Sequence, residues 1–281
     1  MLDSHAVLSD AAGVSYPGGK NGSGVYQAII NRMPPHEVYI EPFLGGGAIL
    51  RLKRPAALNI GLDLDEQVID GWIRSSELAG TSALAISRDT AGRIVTLGER
   101  RRSPDLAIYR FIHGDGIAFL GSYAFTGREL VYCDPPYLMS TRSGKRLYQH
   151  EMSDVDHRRL LRVLQDLPCA VMISGYSSVL YAQMLKGWNA TSFPASTRGG
   201  HQAAEWLWSN FERPVVLHDY RYLGDGFRER ERIKRKKLRW VRKLERMPVL
   251  ERQALLAAIA DSGISDVHRA PSGLAMPLGR V

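Results

Sequence analysis

Short apolar runs that each end in a glycine-rich or acidic loop constrain the fold of this chain most. Residues 38–40 lead into three consecutive glycines, residues 57–62 end in Asp63, and residues 130–133 end in Asp134. Runs of this length between turn residues are typical of buried strands, and the helical segments that separate them indicate βαβ units. The sequence therefore predicts an α/β fold, with a Rossmann-like, mostly parallel sheet flanked by helices.

Composition along the chain predicts three parts. Residues 1–15 are expected to form a flexible N-terminus, and residues 16–223 a single α/β domain. Within that domain the alternating pattern weakens, so a small helical insertion is predicted over residues 66–104. Residues 105–119 are interpreted as a broken helix. Residues 224–281 are predicted to form a basic helical extension.

Positive charge is concentrated in one segment. The chain has 37 Lys and Arg, 29 Asp and Glu and a net charge of +8, and residues 227–246 alone carry eleven Lys and Arg against three Glu. Such a cluster fits a polyanion such as nucleic acid, although a solvated helix face fits equally well. The chain lacks an apolar run of about 20 residues and a basic, apolar leader, so a cytoplasmic protein without a membrane partner is expected.

The cysteines and histidines give little sign of a metal site. Cys133 and Cys169 each lie inside an apolar run, which favours reduced core residues. His113 and His157 are not spaced with other ligand residues. The sequence therefore predicts no bound metal.

The loops after the strands suggest a nucleoside ligand. Ligands of open α/β sheets bind outside the carboxyl ends of the strands. The glycines at 45–47 would let backbone approach such a ligand, and Asp63 would accept hydrogen bonds from ribose hydroxyls. A tight turn without a ligand is the alternative.

The stretch from Asp134 to Tyr137 indicates a site for an exocyclic amine. The Asp134 carboxylate and the Pro135 carbonyl are both acceptors, and together they could hold both hydrogens of an amino group. Tyr137 offers an aromatic face for a base removed from its stack. The alternative is a strand end followed by a Pro-Pro turn and a core tyrosine.

Four motifs in this order resemble a known enzyme family. They are Tyr16-Pro17-Gly18-Gly19-Lys20, Glu41-Pro42-Phe43-Leu44-Gly45-Gly46-Gly47, His113-Gly114-Asp115 and Asp134-Pro135-Pro136-Tyr137. The chain is similar to the Dam-like adenine-N6 DNA methyltransferases of phages and prophages, which depend on S-adenosylmethionine and carry the DPPY motif. The likeness extends over residues 16–220. It implies the class I methyltransferase fold, and either a solitary enzyme or one paired with a restriction enzyme.

The resemblance also implies a role for each matching residue. In-line methyl transfer to N6 of an adenine flipped out of double-stranded DNA would need no metal. Asp63 would hold the ribose of S-adenosylmethionine, Asp115 its adenine amine and Lys20 its methionine side. The implied catalytic residues are Asp134, Pro135, Pro136 and Tyr137. The implied cofactor-binding residues are Tyr16, Gly19, Lys20, Phe43, Gly45, Gly47, Asp63, Asp115 and Asp134.

Basic residues supply the candidate contacts to DNA. Residues 228–247 carry a narrow apolar stripe formed by Ile233, Trp240, Val241, Leu244 and Met247. We expect this segment to dock by the stripe and to follow phosphates with its basic face. A dimerisation helix, and hence a homodimer, is the main competing interpretation. The predicted nucleic-acid-binding residues are Arg100, Arg101, Arg102, Arg142, Lys145, Arg146, Lys234, Lys236 and Lys237.

Two other functions fit the same residues. A methyltransferase that acts on an amine of RNA would use the same acid and prolines. A catalytically silent DNA-binding protein could retain the fold. The presence of Lys20, Asp63, Asp115, Asp134 and Tyr137 together argues against loss of activity.

Overall fold

The computed structural model describes residues 20–22, 24–78, 84–87, 107–142, 149–196 and 202–262. The chain divides into two compact units, residues 1–222 and residues 223–281. The first holds the sheet and six helices of the described chain, and the second holds two further helices. Tyr16, Gly19, Arg100, Arg101, Arg102, Lys145 and Arg146 lie outside the described residues.

Strands and helices alternate through most of the first unit. The strands are β1 (Val38–Glu41), β2 (Leu58–Asp63), β3 (Leu84–Ser87), β4 (Ile108–His113), β5 (Glu129–Cys133), β6 (Ala170–Gly175), β7 (Asn189–Ser196) and β8 (Gln202–Ser209). The helices are α1 (Val25–Ile30), α2 (Ala48–Leu52), α3 (Glu66–Leu78), α4 (Gly116–Ser122), α5 (Asp154–Asp166) and α6 (Val179–Met184). A short 3₁₀ turn covers Met139–Thr141.

The strands form one sheet in the order β3-β4-β2-β1-β5-β6-β8-β7. Every described neighbour pair is parallel except the two that involve β8, which runs antiparallel to β6 and to β7. The chain order reverses direction at β1, since β2 lies on one side of it and β5 on the other. This arrangement is the Rossmann-like fold of class I methyltransferases, and the predicted fold class is confirmed.

Apolar side chains alternate between the two faces of the sheet. In β1, Tyr39 joins the core beneath α1, α2 and α3, whereas Ile40 joins the core beneath α4, α5 and α6. Tyr132 and Val131 of β5 divide between the same two cores. Because successive side chains of a strand point to opposite faces, a continuous apolar run is the pattern expected of a strand covered on both sides.

Two expectations about the middle of the first unit need correction. The broken helix predicted over residues 105–119 is wrong for its first part, since residues 108–113 form β4, which pairs with β2 along its whole length, whereas residues 116–119 are helical in α4. Along β4 the more buried residues are Tyr109 and Phe111, the period of two that a half-covered strand shows. Part of the predicted insertion over 66–104 belongs to the sheet layer. Helix α3 packs against the sheet and β3 pairs with β4.

The described part of the second unit, residues 223–262, contains two helices. Helix α7 spans Phe227–Glu245 and α8 spans Val249–Asp261, with Pro248 as the N-cap of α8. The predicted break near Pro248 is confirmed. Neither helix has a buried residue. Within the described residues, no helix is long and apolar enough to cross a membrane.

Candidate active site

The carboxyl ends of β1, β2, β4 and β5 meet at one cleft. Because these strands are parallel neighbours, the loops that follow them open at the same edge of the sheet. Predicted residues that line the cleft are Lys20, Phe43, Gly45, Gly47, Asp63, Asp115, Asp134 and Pro136. Residues that are far apart in sequence therefore meet around one cavity.

The glycine loop after β1 depends on missing side chains. Gly45 and Gly47 have φ of 45° and 51°, in the left-handed region that favours glycine. A Cβ at Gly47 would lie 2.2 Å from a ring carbon of Trp72. The indole nitrogen of Trp72 donates to the Gly45 carbonyl at 3.0 Å. Trp72 thus holds the loop from α3, and the tight contact requires glycine at position 47.

Asp63, the last residue of β2, fixes the same loop. Its Oδ2 accepts from the Gly45 amide at 2.7 Å and its Oδ1 accepts from the Asp65 amide at 2.9 Å. Burial raises the pKa of the Asp63 carboxyl. Each carboxylate oxygen has a second lone pair, so Asp63 can also accept from a hydroxyl in the cleft.

Asp115 follows β4 and caps helix α4. Its Oδ1 accepts from the amides of Ile117 and Ala118 at 2.8 and 3.3 Å, and Arg159 lies 3.3 Å from its Oδ2. A Cβ at Gly116 would lie 2.3 Å from the Pro42 carbonyl, so the loops after β1 and β4 touch there. This contact holds Asp115 at the cleft.

The hydrogen-bond acceptors and the apolar walls of the cleft suit a nucleoside. Asp63 and Asp115 are acceptors at the ends of neighbouring strands, suited to hydroxyl and amino groups. Ile117 and Leu64 line the cleft, and Leu64 keeps 48% of its surface exposed. An exposed apolar side chain beside acceptors fits a flat base bearing polar edges.

A charged cluster lies at the end of β5. The Lys20 ammonium donates to Asp134 Oδ1 at 2.7 Å and to the Tyr137 hydroxyl at 2.6 Å, and lies 3.5 Å from Glu205 Oε1. The Tyr137 hydroxyl donates to Glu205. Lys20, Tyr137 and Glu205 are all buried. The Lys20 ammonium thus lies between the buried Glu205 carboxylate and the partly buried Asp134 carboxylate and reduces their mutual repulsion.

The contacts of Asp134 leave one of its oxygens available. Oδ1 accepts from Lys20 and, at 3.0 Å, from the hydroxyl of Ser174 on β6. The Tyr137 hydroxyl lies 3.2 Å from the same oxygen, but its single proton goes to Glu205. Among the described residues, no donor reaches Oδ2. Asp134 is therefore held from one side while its other oxygen can accept from a ligand.

Burial shifts the pKa of two members of this cluster. It raises the pKa of the Tyr137 hydroxyl well above its usual value, so Tyr137 stays a donor. Burial also raises the pKa of Glu205, while the nearby Lys20 ammonium lowers it. Since Lys20 and Glu205 face each other, each stabilises the charged form of the other.

Tyr137 is less open than its predicted role requires. Its ring is 8% exposed, with Lys20 4.9 Å from the ring centroid and Tyr176 meeting it edge-on at 4.8 Å. The partly exposed aromatic ring beside it is that of Tyr176. Stacking of a base on Tyr137 stays a prediction.

Arg142 is placed differently from its predicted role in nucleic-acid binding. Its guanidinium forms two hydrogen bonds to the Glu151 carboxylate, one of them at 3.2 Å, and its side chain is 5% exposed. Glu151 and its neighbours His150 and Met152 line the cleft. In this structure Arg142 supports the cleft wall.

Sequence reasoning missed three polar residues. Glu205 and Ser174 complete the charged cluster, and Glu41 lies at the base of the cleft, where burial raises its pKa to about 8. The Tyr39 hydroxyl donates to Glu41 at 2.8 Å. The available signal was an acid within or at the end of an apolar strand, since buried carboxylates are rare unless paired. Among the described residues, no group of metal-binding side chains occurs.

Comparison with known proteins finds similarity to solved structures but none to a family model or a curated sequence. No protein-family model matches the sequence, and no curated protein matches it. TrmK of M. capricolum in complex with S-adenosyl-homocysteine is 9% identical, with 84% of this chain and 95% of that chain covered and a TM-score of 0.39. An rRNA methylase of Streptococcus thermophilus is 11% identical, with 66% and 92% covered and a TM-score of 0.38.

A third similar structure has a different chemistry in its name. A precorrin 8W decarboxylase of Methanobacterium thermoautotrophicum is 12% identical, with 70% of this chain and 94% of that chain covered and a TM-score of 0.40. At such identities and TM-scores the activity of a similar protein does not transfer to this chain. The fold assignment rests on the strand order and direction given above.

Proposed function

We propose that this chain transfers a methyl group from S-adenosylmethionine to the N6 amine of adenine in DNA. The observation that carries the proposal is that the Lys20–Asp134 pair and the Gly45–Gly47 loop line one cleft. An amine acceptor and a nucleoside-binding loop on the same cavity are what methyl transfer between two nucleosides requires. The motif resemblance supplies the choice of adenine and of DNA.

The cofactor would bind in the part of the cleft that is lined by the loops after β1, β2 and β4. Phe43, Gly45 and Gly47 would line its pocket, Asp63 would accept from its ribose hydroxyls, and Asp115 from its adenine amine. The cofactor would supply an electrophilic methyl group on a positively charged sulfur. Asp63 and Asp115 each use part of their acceptor capacity to fix their own loops, so both are held in place before a ligand arrives.

Asp134 would act on the target amine. The adenine N6 lone pair is delocalised into the ring, which makes the nitrogen a poor nucleophile. Acceptance of its two hydrogens by Asp134 Oδ2 and the Pro135 carbonyl would localise the lone pair and stabilise positive charge that develops on nitrogen. Lys20 and Ser174 fix the opposite oxygen of Asp134, so the carboxylate does not have to reorient during transfer.

The bond changes are those of a direct displacement. The N6 lone pair would form the new nitrogen–carbon bond as the carbon–sulfur bond breaks, and the bonding electrons would stay on sulfur to give a neutral thioether. The methylated nitrogen then loses one proton to water. The side chains contribute position and electrostatics, and none forms a covalent bond.

The decisive experiment supplies the full chain with S-adenosylmethionine labelled in the methyl group. Duplex DNA, RNA and protein are offered in parallel, and the labelled product is identified by mass spectrometry. We expect N6-methyladenine in DNA. Label in RNA or in protein would replace the proposal by the corresponding methyltransferase. If no label is transferred to DNA, RNA or protein while the chain still binds DNA, the result would favour a catalytically silent DNA-binding protein.

Replacement of Asp134 by alanine tests the assigned role. The Asp134→Ala chain should lose methyl transfer by about 100- to 1,000-fold, the range that removal of one preorganised electrostatic group produces. Binding of S-adenosylmethionine by calorimetry should persist. Asp166→Ala is the matched control, because Asp166 is exposed at the end of α5. Transfer by Asp134→Ala at the wild-type rate would refute the role.

A further inference from the structure

Helix α7 carries a straight row of arginines. They occur every three or four residues, at Arg228, Arg232, Arg235, Arg239, Arg242 and, at the C-cap, Arg246. At 3.6 residues per turn, all six lie within about 40° of one line along the helix. All six are exposed. This arginine row extends over about 27 Å, with about one guanidinium per turn.

The charge of the arginine row is hardly compensated within the helix. Glu229, Glu231 and Glu245 are the acids of α7, and each lies about 60° or more from the row. Within the described residues, the row takes part in one ion pair, between Arg232 and Glu229 at 3.5 Å. Both partners are largely exposed, and such pairs contribute little. The row therefore presents a nearly continuous line of positive charge.

We propose that the arginine row binds the phosphate backbone of nucleic acid, as a contact surface separate from the cleft. A guanidinium holds a phosphate through two parallel hydrogen bonds, which a lysine ammonium cannot do. A row with one guanidinium per turn can meet successive phosphates, because nucleic acids carry closely spaced backbone charges. The row contains no apolar residue, so it fits a backbone better than base edges.

The predicted lysine contacts lie off this row. Lys234, Lys236 and Lys237 are displaced from it by about 80° or more around the helix. The sequence pattern identified the basic helix correctly, but the helical geometry selects its arginines. The lysines add charge to the sides of the helix.

The position of the apolar stripe disfavours a membrane as the polyanion. The members of the stripe within α7, which are Ile233, Trp240, Val241 and Leu244, centre about 160° from the arginine row. A helix that lies on a membrane buries its apolar face, and basic side chains reach the head groups when they flank that face. Burial of this stripe would point the arginine row away from the bilayer. Nucleic acid therefore fits the arrangement better than a lipid surface does.

Two variants with equal charge test the row. In the row variant, four arginines become glutamine at Arg232, Arg235, Arg239 and Arg242. In the lysine variant, four lysines become glutamine at Lys234, Lys236, Lys237 and Lys243. Each removes four positive charges from the same helix of the full chain. Circular dichroism confirms that helix content is kept, since glutamine is a good helix former.

The measurement is binding to a fluorescent DNA duplex of random sequence, without cofactor, over a range of salt concentrations. Each lost phosphate contact lowers the slope of log K against log salt by about 0.9, so the row variant should lose about 3 to 4 units of slope. The lysine variant should lose less than half of that. Equal losses in the two variants would overturn the row as the contact surface, and so would an unchanged slope in the row variant.

Two further arms separate this inference from its competitors. Vesicles that contain phosphatidylserine replace DNA in one arm, and loss of vesicle binding by the row variant with DNA binding intact would overturn the proposal in favour of a membrane. Asp134 itself would contact the proposed target base, so the matched control in the other arm is Asp166→Ala, which should bind DNA with the wild-type slope and transfer the methyl group at the wild-type rate. If wild type binds through the row yet transfers no methyl group, the proposed function fails while this inference stands.

Discussion

The carboxylate of Glu205 lies 3.5 Å from the ammonium of Lys20 and accepts a hydrogen bond from Tyr137. The reversed strand β8 creates this contact, because it enters the sheet beside β6 and pairs Trp206 with Gly175. Glu205 therefore reaches the carboxyl end of the parallel strands from the opposite direction. The antiparallel strand thus completes a cluster that the loops after the parallel strands only begin.

Replacement of Glu205 by glutamine should lower the proposed methyl transfer. The charge that attracts Lys20 and accepts from Tyr137 is lost, so Lys20 is held less rigidly against Asp134. Hydrogen bonds to charged groups contribute about 1.5 to 3 kcal/mol, which corresponds to a loss of about 10- to 100-fold in kcat. We expect little change in KM for the cofactor. Steady-state kinetics of both substrates provide the measurement.

Glu37→Gln is the matched control for that substitution. Glu37 pairs with Arg128 at 2.8 Å, and both side chains are more than half exposed. The same change of charge on the surface should leave kcat unchanged. A Glu205→Gln chain with wild-type kcat would show that the cluster works without its buried carboxylate.

Replacement of Gly47 by alanine should damage the glycine loop. The added Cβ would overlap the Trp72 ring, and the positive φ of Gly47 is costly for alanine. We expect the dissociation constant for S-adenosylmethionine to rise about 5- to 150-fold, for an overpacking cost of about 1 to 3 kcal/mol. Gly71→Ala in α3 is the control, since a Cβ there meets no atom within 4 Å. It should leave affinity unchanged.

Substitution of Arg142 by glutamine tests whether this side chain contacts DNA or supports the cleft wall. Arg142→Gln removes the partner of the Glu151 carboxylate, which lines the cleft. We expect weaker cofactor binding, by about tenfold, because the partly buried Glu151 carboxylate loses the guanidinium that positions it. The salt dependence of DNA binding should stay the same. A slope reduced by about one unit with cofactor affinity intact would restore the predicted role in nucleic-acid binding.

The parts of the fold predicted correctly depend on local patterns. Apolar runs ending in Gly45–Gly47, Asp63 and Asp134 located β1, β2 and β5, because buried parallel strands are continuously apolar. Strand β4 was missed because it is covered less completely, and its Arg110 and His113 interrupt the apolar pattern. A short stretch with polar interruptions does not distinguish a strand from a broken helix.

The sequence predicted the site residues that lie within recognisable motifs. It did not predict those that reach the site through long-range pairing of strands. Lys20, Asp63, Asp115 and Asp134 were identified, and all of them line the cleft. Glu205 was not identified, since its position depends on the direction and order of β8 in the sheet. Pairing across a sheet is a long-range property that local spacing does not encode.

A stacked pair of histidines should make the stability of the first unit depend on pH. The rings of His36 and His218 lie 3.8 Å apart, and the His218 Nε2 donates to the Arg54 carbonyl at 2.9 Å. Burial, with a contribution from Lys53, lowers the pKa of His218 to about 4 and lowers that of His36 as well. Both rings are therefore neutral in the folded state at neutral pH.

Protonation at acidic pH must therefore favour unfolding. An unfolded histidine has a pKa of about 6.5, so stability is fully present above that pH and falls as pH decreases toward about 4. His218→Gln keeps an amide donor but cannot take up a proton, and His36 retains its own effect. We expect the variant to lose about half as much stability as wild type between neutral and acidic pH. Thermal unfolding over this range measures it. His113→Gln, with an exposed ring, is the control, and a wild-type pH profile in His218→Gln would exclude the histidine pair as the cause.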